Sequence, residues 1–404
     1  CQFPLCSPSR TSIMTGLSPD ATGVYNLTKH FRESVPDVVT LGQAFQKNGY
    51  FVGRVGKIYH YGNPGQIGTN GLDDEPTWTR RVNPIGVDKT REEPRVTNYT
   101  PTRGLGSSVS FYASPARDEE HTDGIVAAET IRMMEEQRGA PWFLGAGFYR
   151  PHCPWIAPAK YFDMIPREKV KLVPFEEWEM NIAPRWAYFT TPANWGLTPK
   201  QRIDAMQAYY ASILFVDAQV GKLLDAVRRL GQEENTTVVF WSDHGYGLGE
   251  HGQWMKQTVF EYSARSPMLL CGAGVGARGQ ACGRTVEFLD LYPTLADLCG
   301  LREVPSGLHG KSLRPLLENP RAPWDRPAVT QVHRNRQGEA VRGYSIRTER
   351  HRYTMWDGGR EGEELYDYPR DPRELKNLAR DAGAAALKAG LKTRLEEILR
   401  ARQA

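Results

Sequence analysis

Five short segments hold the side chains best able to do chemistry together. Cys6 stands ahead of Ser7, Pro8, Ser9 and Arg10, and Thr15-Gly16 follows. Pro8 and Ser9 suit the first turn of a helix, whose amino end attracts negative charge; a nucleophile and an anionic substrate can share such an end. Arg10 adds a fixed cation with several donors. Lys57 and His60 lie in Gly56-Lys57-Ile58-Tyr59-His60, and His152 closes Arg150-Pro151-His152. Asp243 and His244 lie in Trp241-Ser242-Asp243-His244-Gly245, and Lys256 follows Gln253-Trp254-Met255. A carboxylate beside an imidazole is a candidate metal site, and an imidazole titrating near ~6.5 can pass a proton to a leaving group. Calcium prefers oxygen donors, so His244 taken by itself leans toward Mn2+ or Zn2+. Singly, each has an ordinary explanation: a solvated loop lysine, a capping histidine, or a Cys6 thiol that is inert or paired with Cys1.

Taken in order, the segments resemble the type I sulfatases. Cys6 to Gly16 matches the C-x-P-S-R-x-x-x-x-T-G signature of that family, whose cysteine is oxidised to formylglycine. The resemblance implies a hydrated aldehyde at position 6, one hydroxyl attacking sulfur and the second expelling sulfate afterwards. It also implies a formylglycine-generating enzyme as partner. The remaining roles follow from the same likeness: Arg10 holds the diol, Lys57 and His60 orient the nucleophile, His152 protonates the leaving alcohol, and Lys256 neutralises a sulfate oxygen. Asp243, His244 and the modified Cys6 become metal ligands, with calcium the expected ion ahead of Mn2+ or Zn2+. Gly249-Glu250-His251-Gly252, His309-Gly310-Lys311-Ser312-Leu313 and Glu364-Leu365-Tyr366-Asp367 extend the likeness over nearly the whole chain. The K-x-x-H spacing from Lys57 to His60 and the string Gly343-Tyr344-Ser345-Ile346-Arg347-Thr348 favour the iduronate-2-sulfatase branch. That branch implies a sulfated carbohydrate substrate, a 2-O-sulfated uronate foremost, and a periplasmic, extracellular or lysosomal location.

These residues need a scaffold. Strand-like and helix-like segments alternate, which predicts an α/β fold with a mostly parallel central sheet flanked by helices, followed by a small C-terminal α+β subdomain. Strands are expected over 50–55, 142–148 and 236–241, and ligands collect at the carboxyl ends of such strands. Ile203, Met206, Tyr210, Ile213, Val216, Val220, Leu223 and Val227 predict a long amphipathic helix packed on the sheet, and a shorter one is expected over 125–134. Residues 62–117 lack periodicity, a length of irregular chain usual in functional loops. Beyond a linker near 318–327, the pieces YSIRT, HRYTMW and EELYDY and a helix carrying Leu387, Leu391, Leu395 and Leu399 form the subdomain. The expected domains are 1–320, catalytic, and 321–404.

Composition narrows the partners. The 404 residues are 40% hydrophobic and 24% charged, with a net charge of +4 and no like-charge run. That is no duplex-binding surface, so nucleic acid is not an expected partner. No stretch approaches the ~20 apolar residues that span a bilayer. None of the six cysteines forms C-x-x-C, which argues against a zinc knuckle; Cys271 and Cys282, flanking GAGVGARGQA, are either a disulfide or two thiols.

One departure stands out against the family pattern. Sulfatases carry two adjacent aspartates upstream of the nucleophile motif, and Cys6 lies too near the start for them, so the first strand and its aspartates are expected to be missing here. Metal binding and activity of this chain are then expected to be weak, since affinity follows ligand charge and number. Two other readings compete: a phosphonate or phosphodiester hydrolase of the same superfamily, and a non-catalytic sulfatase-like binding module.

Overall fold

The computed structural model describes residues 1–336 and 338–403. By contact the chain forms two compact units, one of Cys1–Leu41, Pro174–Asn194 and Thr237–Ala404, the other of Gly42–Val173 and Trp195–Thr236.

In the second unit, strands Phe51–Gly56 (β1), Arg80–Val82 (β2) and Trp142–Gly147 (β5) form a parallel sheet in the order β2-β1-β5. Phe51 pairs with Trp142 and Gly56 with Gly147. A second small sheet joins Thr97–Asn98 (β3), Ser110–Ser114 (β4) and Trp155–Pro158 (β6), with β4 and β6 parallel. The tract that lacks periodicity thus contains short strands and turns. β1 is buried along almost its whole length, as parallel strands covered on both faces are. Its one charge, Arg54, is fully buried and paired with Asp73 at 2.5 Å, with Asn83 Oδ1 and the Val82 carbonyl oxygen accepting from Nη1.

Two long helices belong to this unit, beside shorter ones. Thr122–Glu136 (α2) supplies Val126 and Met133 to a core with Val55, Tyr61, Ile67 and Tyr149. Pro199–Arg229 (α3) starts where a helix should: Thr198 accepts from Gln201 N–H, Gln201 reaches back, and Pro199 opens the first turn. Its buried face includes Met206, Val216 and Val227 of the expected stripe but is broader than it. Ala205, Ala208, Ala211, Ser212 and Phe215 face inward, whereas Ile213 is 42% exposed. Small residues let a helix approach its neighbours closely, and an apolarity count underrates them.

In the first unit, the helix Cys6–Thr15 (α1) is buried at all ten positions and ends at Gly16, whose φ of +71° suits glycine. Thr237–Trp241 (β7) pairs antiparallel with Met268–Gly272 (β10) as a two-stranded sheet. Between them lies the tight hairpin of Gly247–Leu248 (β8) and Trp254–Met255 (β9). The C-terminal part of the unit is an antiparallel sheet, Ala328–Arg336 (β11), Glu339–Arg347 (β12), His351–Trp356 (β13) and Glu363–Asp367 (β14), in sequential order. Helix Ala385–Ala401 (α4) buries Leu391 and Leu395 against Val329, Ile346, Tyr353 and Leu365, while Leu387 stays 37% exposed. β11 was not expected: it buries Gln331 and Arg334 beside its valines, and that polar content hides the strand pattern. Cys271 and Cys282 are exposed thiols with no disulfide. Among the described residues no helix is long and apolar enough to cross a membrane.

Candidate active site

The first unit brings five of the expected residues together. Cys6 occupies the first position of α1, where the helix dipole favours negative charge. Lys256 Nζ donates to Cys6 Sγ at 2.9 Å, and His244 Nε2 lies 3.4 Å from the same sulfur. Arg10 Nε donates to Asp243 Oδ2 at 2.8 Å, and its guanidinium stands over the Trp241 ring at 5.4 Å. Ser9 Oγ donates to the Asp243 carbonyl oxygen. None of Cys6, Arg10, Asp243, His244 and Lys256 is more than 9% exposed, so their charges act in a medium of low dielectric.

Local sequence explains the convergence. β7 ends at Trp241, and the next residues turn against Ser263–Pro267: Gly245 N–H donates to the Ser263 carbonyl oxygen, and Ser266 Oγ to that of Ser242. Only glycine fits at 245, since a Cβ there would lie 2.2 Å from the Tyr262 carbonyl oxygen. His251, Met255 and Gln257 hold left-handed backbone at φ of 49°, 69° and 74°, each costing about 1–3 kcal/mol for a side chain with a Cβ. Surrounding contacts impose the shape. Gln253 Oε1 accepts from the backbone N–H of Phe189 and Thr190, and Gln257 N–H donates to the Pro4 carbonyl oxygen at 3.0 Å. That last bond ties the lysine loop to the residue two before the nucleophile.

Cys6, Asp243 and His244 are a group of three possible ligands among the described residues, their donor atoms within 4.8 Å of one another. His244 Nδ1 donates to the Gly245 carbonyl oxygen at 2.8 Å, which leaves the Nε2 lone pair toward Cys6 and Asp243, as a ligating imidazole requires. The donor set therefore fits a cation. It is a lean set, with one carboxylate.

The second unit carries the other three. Lys57 and His60 follow β1 and are 2% and 5% exposed. Lys57 N–H donates to the Gly147 carbonyl oxygen at 2.7 Å; a Cβ at Gly56 would lie 2.3 Å from that oxygen, so this crossing of chain ends needs glycine. His152 follows β5 and is half-buried. Asp123, in the first turn of α2, accepts from the backbone N–H of Tyr149 and Arg150 at 2.7 and 3.0 Å and so fixes the turn that leads to His152. Burial pushes its carboxyl up to about 6, against the pull of Arg150 and the two N–H groups. Arg150 itself points into the unit, donating to Asp88 and to the Ile156 carbonyl oxygen. Asp123 and Gln253 escaped the sequence reading because each acts on backbone groups distant in sequence.

Residues 2–301 match the family model Sulfatase, and residues 249–401 match that of N-sulphoglucosamine sulphohydrolase, C-terminal. A protein of Formosa agariphila named sulfatase is 31% identical, covering 94% of this chain and 74% of its own length. The iduronate 2-sulfatase of Mus musculus is 29% identical, covering 94% and 83%. Among solved structures, the phosphonate monoester hydrolase of Agrobacterium radiobacter superposes with a TM-score of 0.79 at 24% identity, covering 98% of this chain and 86% of that one. This last likeness establishes the fold alone.

Proposed function

The chain belongs to the sulfatase family and is a sulfuric ester hydrolase, and from that premise we propose how its residues do the work and on what substrate. The nucleophile is formylglycine, made from Cys6 by a formylglycine-generating enzyme and hydrated to a diol. One diol oxygen bonds to sulfur as the S–O bond to the alcohol breaks, and His152 gives its proton to the departing oxygen. Deprotonation of the second hydroxyl then reforms the aldehyde and releases sulfate, so no water has to attack sulfur. Lys256 neutralises charge on the sulfate oxygens, Arg10 and Ser9 hold Asp243 in place, and Lys57 and His60 orient the nucleophile.

Asp243, His244 and the residue-6 oxygen would hold the metal ion, with calcium the proposed species; when bound it supplies positive charge that acidifies the diol and draws in the sulfate group. Support for calcium comes from the family; the imidazole in the donor set supports Mn2+ or Zn2+ as the other choices.

The observation that carries this reading is the buried meeting of Lys256, His244 and Asp243 at Cys6, on the amino end of α1. A binding module has no need of an oxidisable cysteine against a lysine. The substrate is a sulfated sugar, foremost a 2-O-sulfated uronate, supported by the iduronate 2-sulfatase relative and the K-x-x-H spacing. A periplasmic, extracellular or lysosomal location follows from that substrate class.

The test is parallel assay of sulfate and phosphonate monoesters with chain co-expressed with the generating enzyme, in millimolar calcium. Preference for sulfate, lost in Cys6→Ala, is the expected result. Preference for phosphonate would transfer the chain to the hydrolases of the structural neighbour.

A further inference from the structure

Asn63 lies three residues after His60, in a loop of the second unit, and is 5% exposed. Its Nδ2 donates to the Cys153 carbonyl oxygen at 2.7 Å and stands 3.1 Å from His152 Nδ1. His152 Nδ1 is also 2.7 Å from that carbonyl oxygen. A carbonyl oxygen has no proton to give, so the 2.7 Å contact places the hydrogen on Nδ1; the competing arrangement, a bare Nδ1 accepting from Asn63 Nδ2, is the longer contact at 3.1 Å and would set lone pair against lone pair at the carbonyl. The oxygen has two lone pairs, and these two donors use both. A titratable neighbour of the ring is the buried Cys153 thiol, 3.8 Å from Nδ1. The segment around it is braced, since Trp155 Nε1 donates to the Pro151 carbonyl oxygen and Arg150 Nε to that of Ile156.

We propose that Asn63 is a positioning residue: by pinning the Cys153 carbonyl it holds His152 as the Nδ1–H tautomer, so that the proton exchanged with the leaving alcohol is the one on Nε2. The inference rests on the reading of His152 as the leaving-group acid. In that step the nucleophile's oxygen bonds to sulfur, the S–O bond to the alcohol breaks, and the Nε2 proton moves to the alcohol oxygen. The imidazolium becomes a neutral imidazole and Nδ1 is unchanged throughout. Which ring nitrogen titrates is set by the hydrogen bond the other makes, and here a side chain from another loop secures that bond.

The tautomer can be read without any turnover. Long-range proton–nitrogen spectra of the full chain labelled with 15N-histidine, assigned with His152→Gln, distinguish the two neutral forms. The wild-type chain should show only the Nδ1–H form of His152, and Asn63→Ala should show both. In turnover, Asn63→Ala should slow esters of poorly acidic alcohols by about 10-fold, part of what a general acid contributes, and slow aryl sulfates much less. An Nε2–H wild-type tautomer would overturn the proposal, as would an Asn63→Ala chain unchanged in both tautomer and leaving-group dependence. If the alanine variant does not fold, Asn63→Ser is read in its place and the wild-type tautomer still decides. A chain that hydrolyses no sulfate ester counts against the proposed function and leaves the tautomer result to stand on its own.

Discussion

Lys256 reaches Cys6 only because its loop is bent through three left-handed residues and tied to Pro4, so its charge is aimed before any substrate arrives. Such preorganised charge acts on every sulfate ester alike. Lys256→Ala should therefore lower kcat by about 10²- to 10³-fold on alkyl and aryl sulfates equally. His152→Ala should discriminate, with losses of about 10²- to 10⁴-fold on esters of poorly acidic alcohols and far smaller ones on aryl sulfates, as general-acid catalysis dictates. Equal losses on both classes would remove His152 from that role. The proposed metal ligands yield a prediction of another kind. With Asp243 the one carboxylate in the cluster, calcium titration followed by calorimetry should find affinity in the ~10⁻⁴ to 10⁻³ M range of weakly charged sites. Submicromolar binding would require ligands beyond these three. At this scale the sequence was legible where a motif resembles the family's: Cys6, Arg10, Asp243, His244 and Lys256 were each named from that resemblance and are found together. Asn63, Asp123 and Gln253 were not, because their partners are backbone groups 63 to 90 positions or 26 positions away, and nothing local signals such contacts.

Among the elements, β1 shows how much a strand can hide. Its apolar run made the strand legible, yet Arg54 within it is an ion-paired core residue. Removing one partner of a buried pair leaves an uncompensated charge, so Arg54→Ala should cost about 3–5 kcal/mol, measurable by urea unfolding. A loss under 1 kcal/mol would mean that Asp73 finds water or another cation. The long helix α3 was legible from its spacing, and Met206, Val216 and Val227 of that stripe are buried, but the small residues that complete its buried face were not, because they add little to an apolar pattern. β11 was obscured by its buried Gln331 and Arg334. Patterning reads apolar burial well and paired polar burial badly.

Across the whole molecule, buried ionisable groups set the response to pH. Burial lowers His121, His251, His309 and His333 to about 4, with Arg352 and Arg373 adding to the effect at His251. A histidine lowered on folding contributes stability that is complete above its unfolded value of about 6.5 and is lost as pH falls toward 4. Asp123 and Asp290, raised to about 6 chiefly by burial, act the other way: their contribution is complete below the unfolded carboxylate value and fades as pH rises through 6. Burial raises Glu92, Glu250 and Glu364 in the same sense. Asp118 and Glu363, lowered overall as hydrogen bonds from Lys160 and Lys388 outweigh burial, side with the histidines. The four histidines outweigh the two aspartates, so the thermal midpoint should fall as pH is lowered from 6.5 to 4.5. A midpoint rising over that window would show that the buried acids dominate.

The claim beneath all of these is that Cys6 is a precursor and not the final nucleophile. Mass spectrometry of the Cys6 peptide, from chain co-expressed with a formylglycine-generating enzyme, tests it most directly. Conversion of the thiol to the aldehyde should lower the peptide mass by ~18 Da. An intact thiol under those conditions would contradict the account and leave Lys256, His244 and Asp243 gathered around a cysteine that does no sulfatase chemistry.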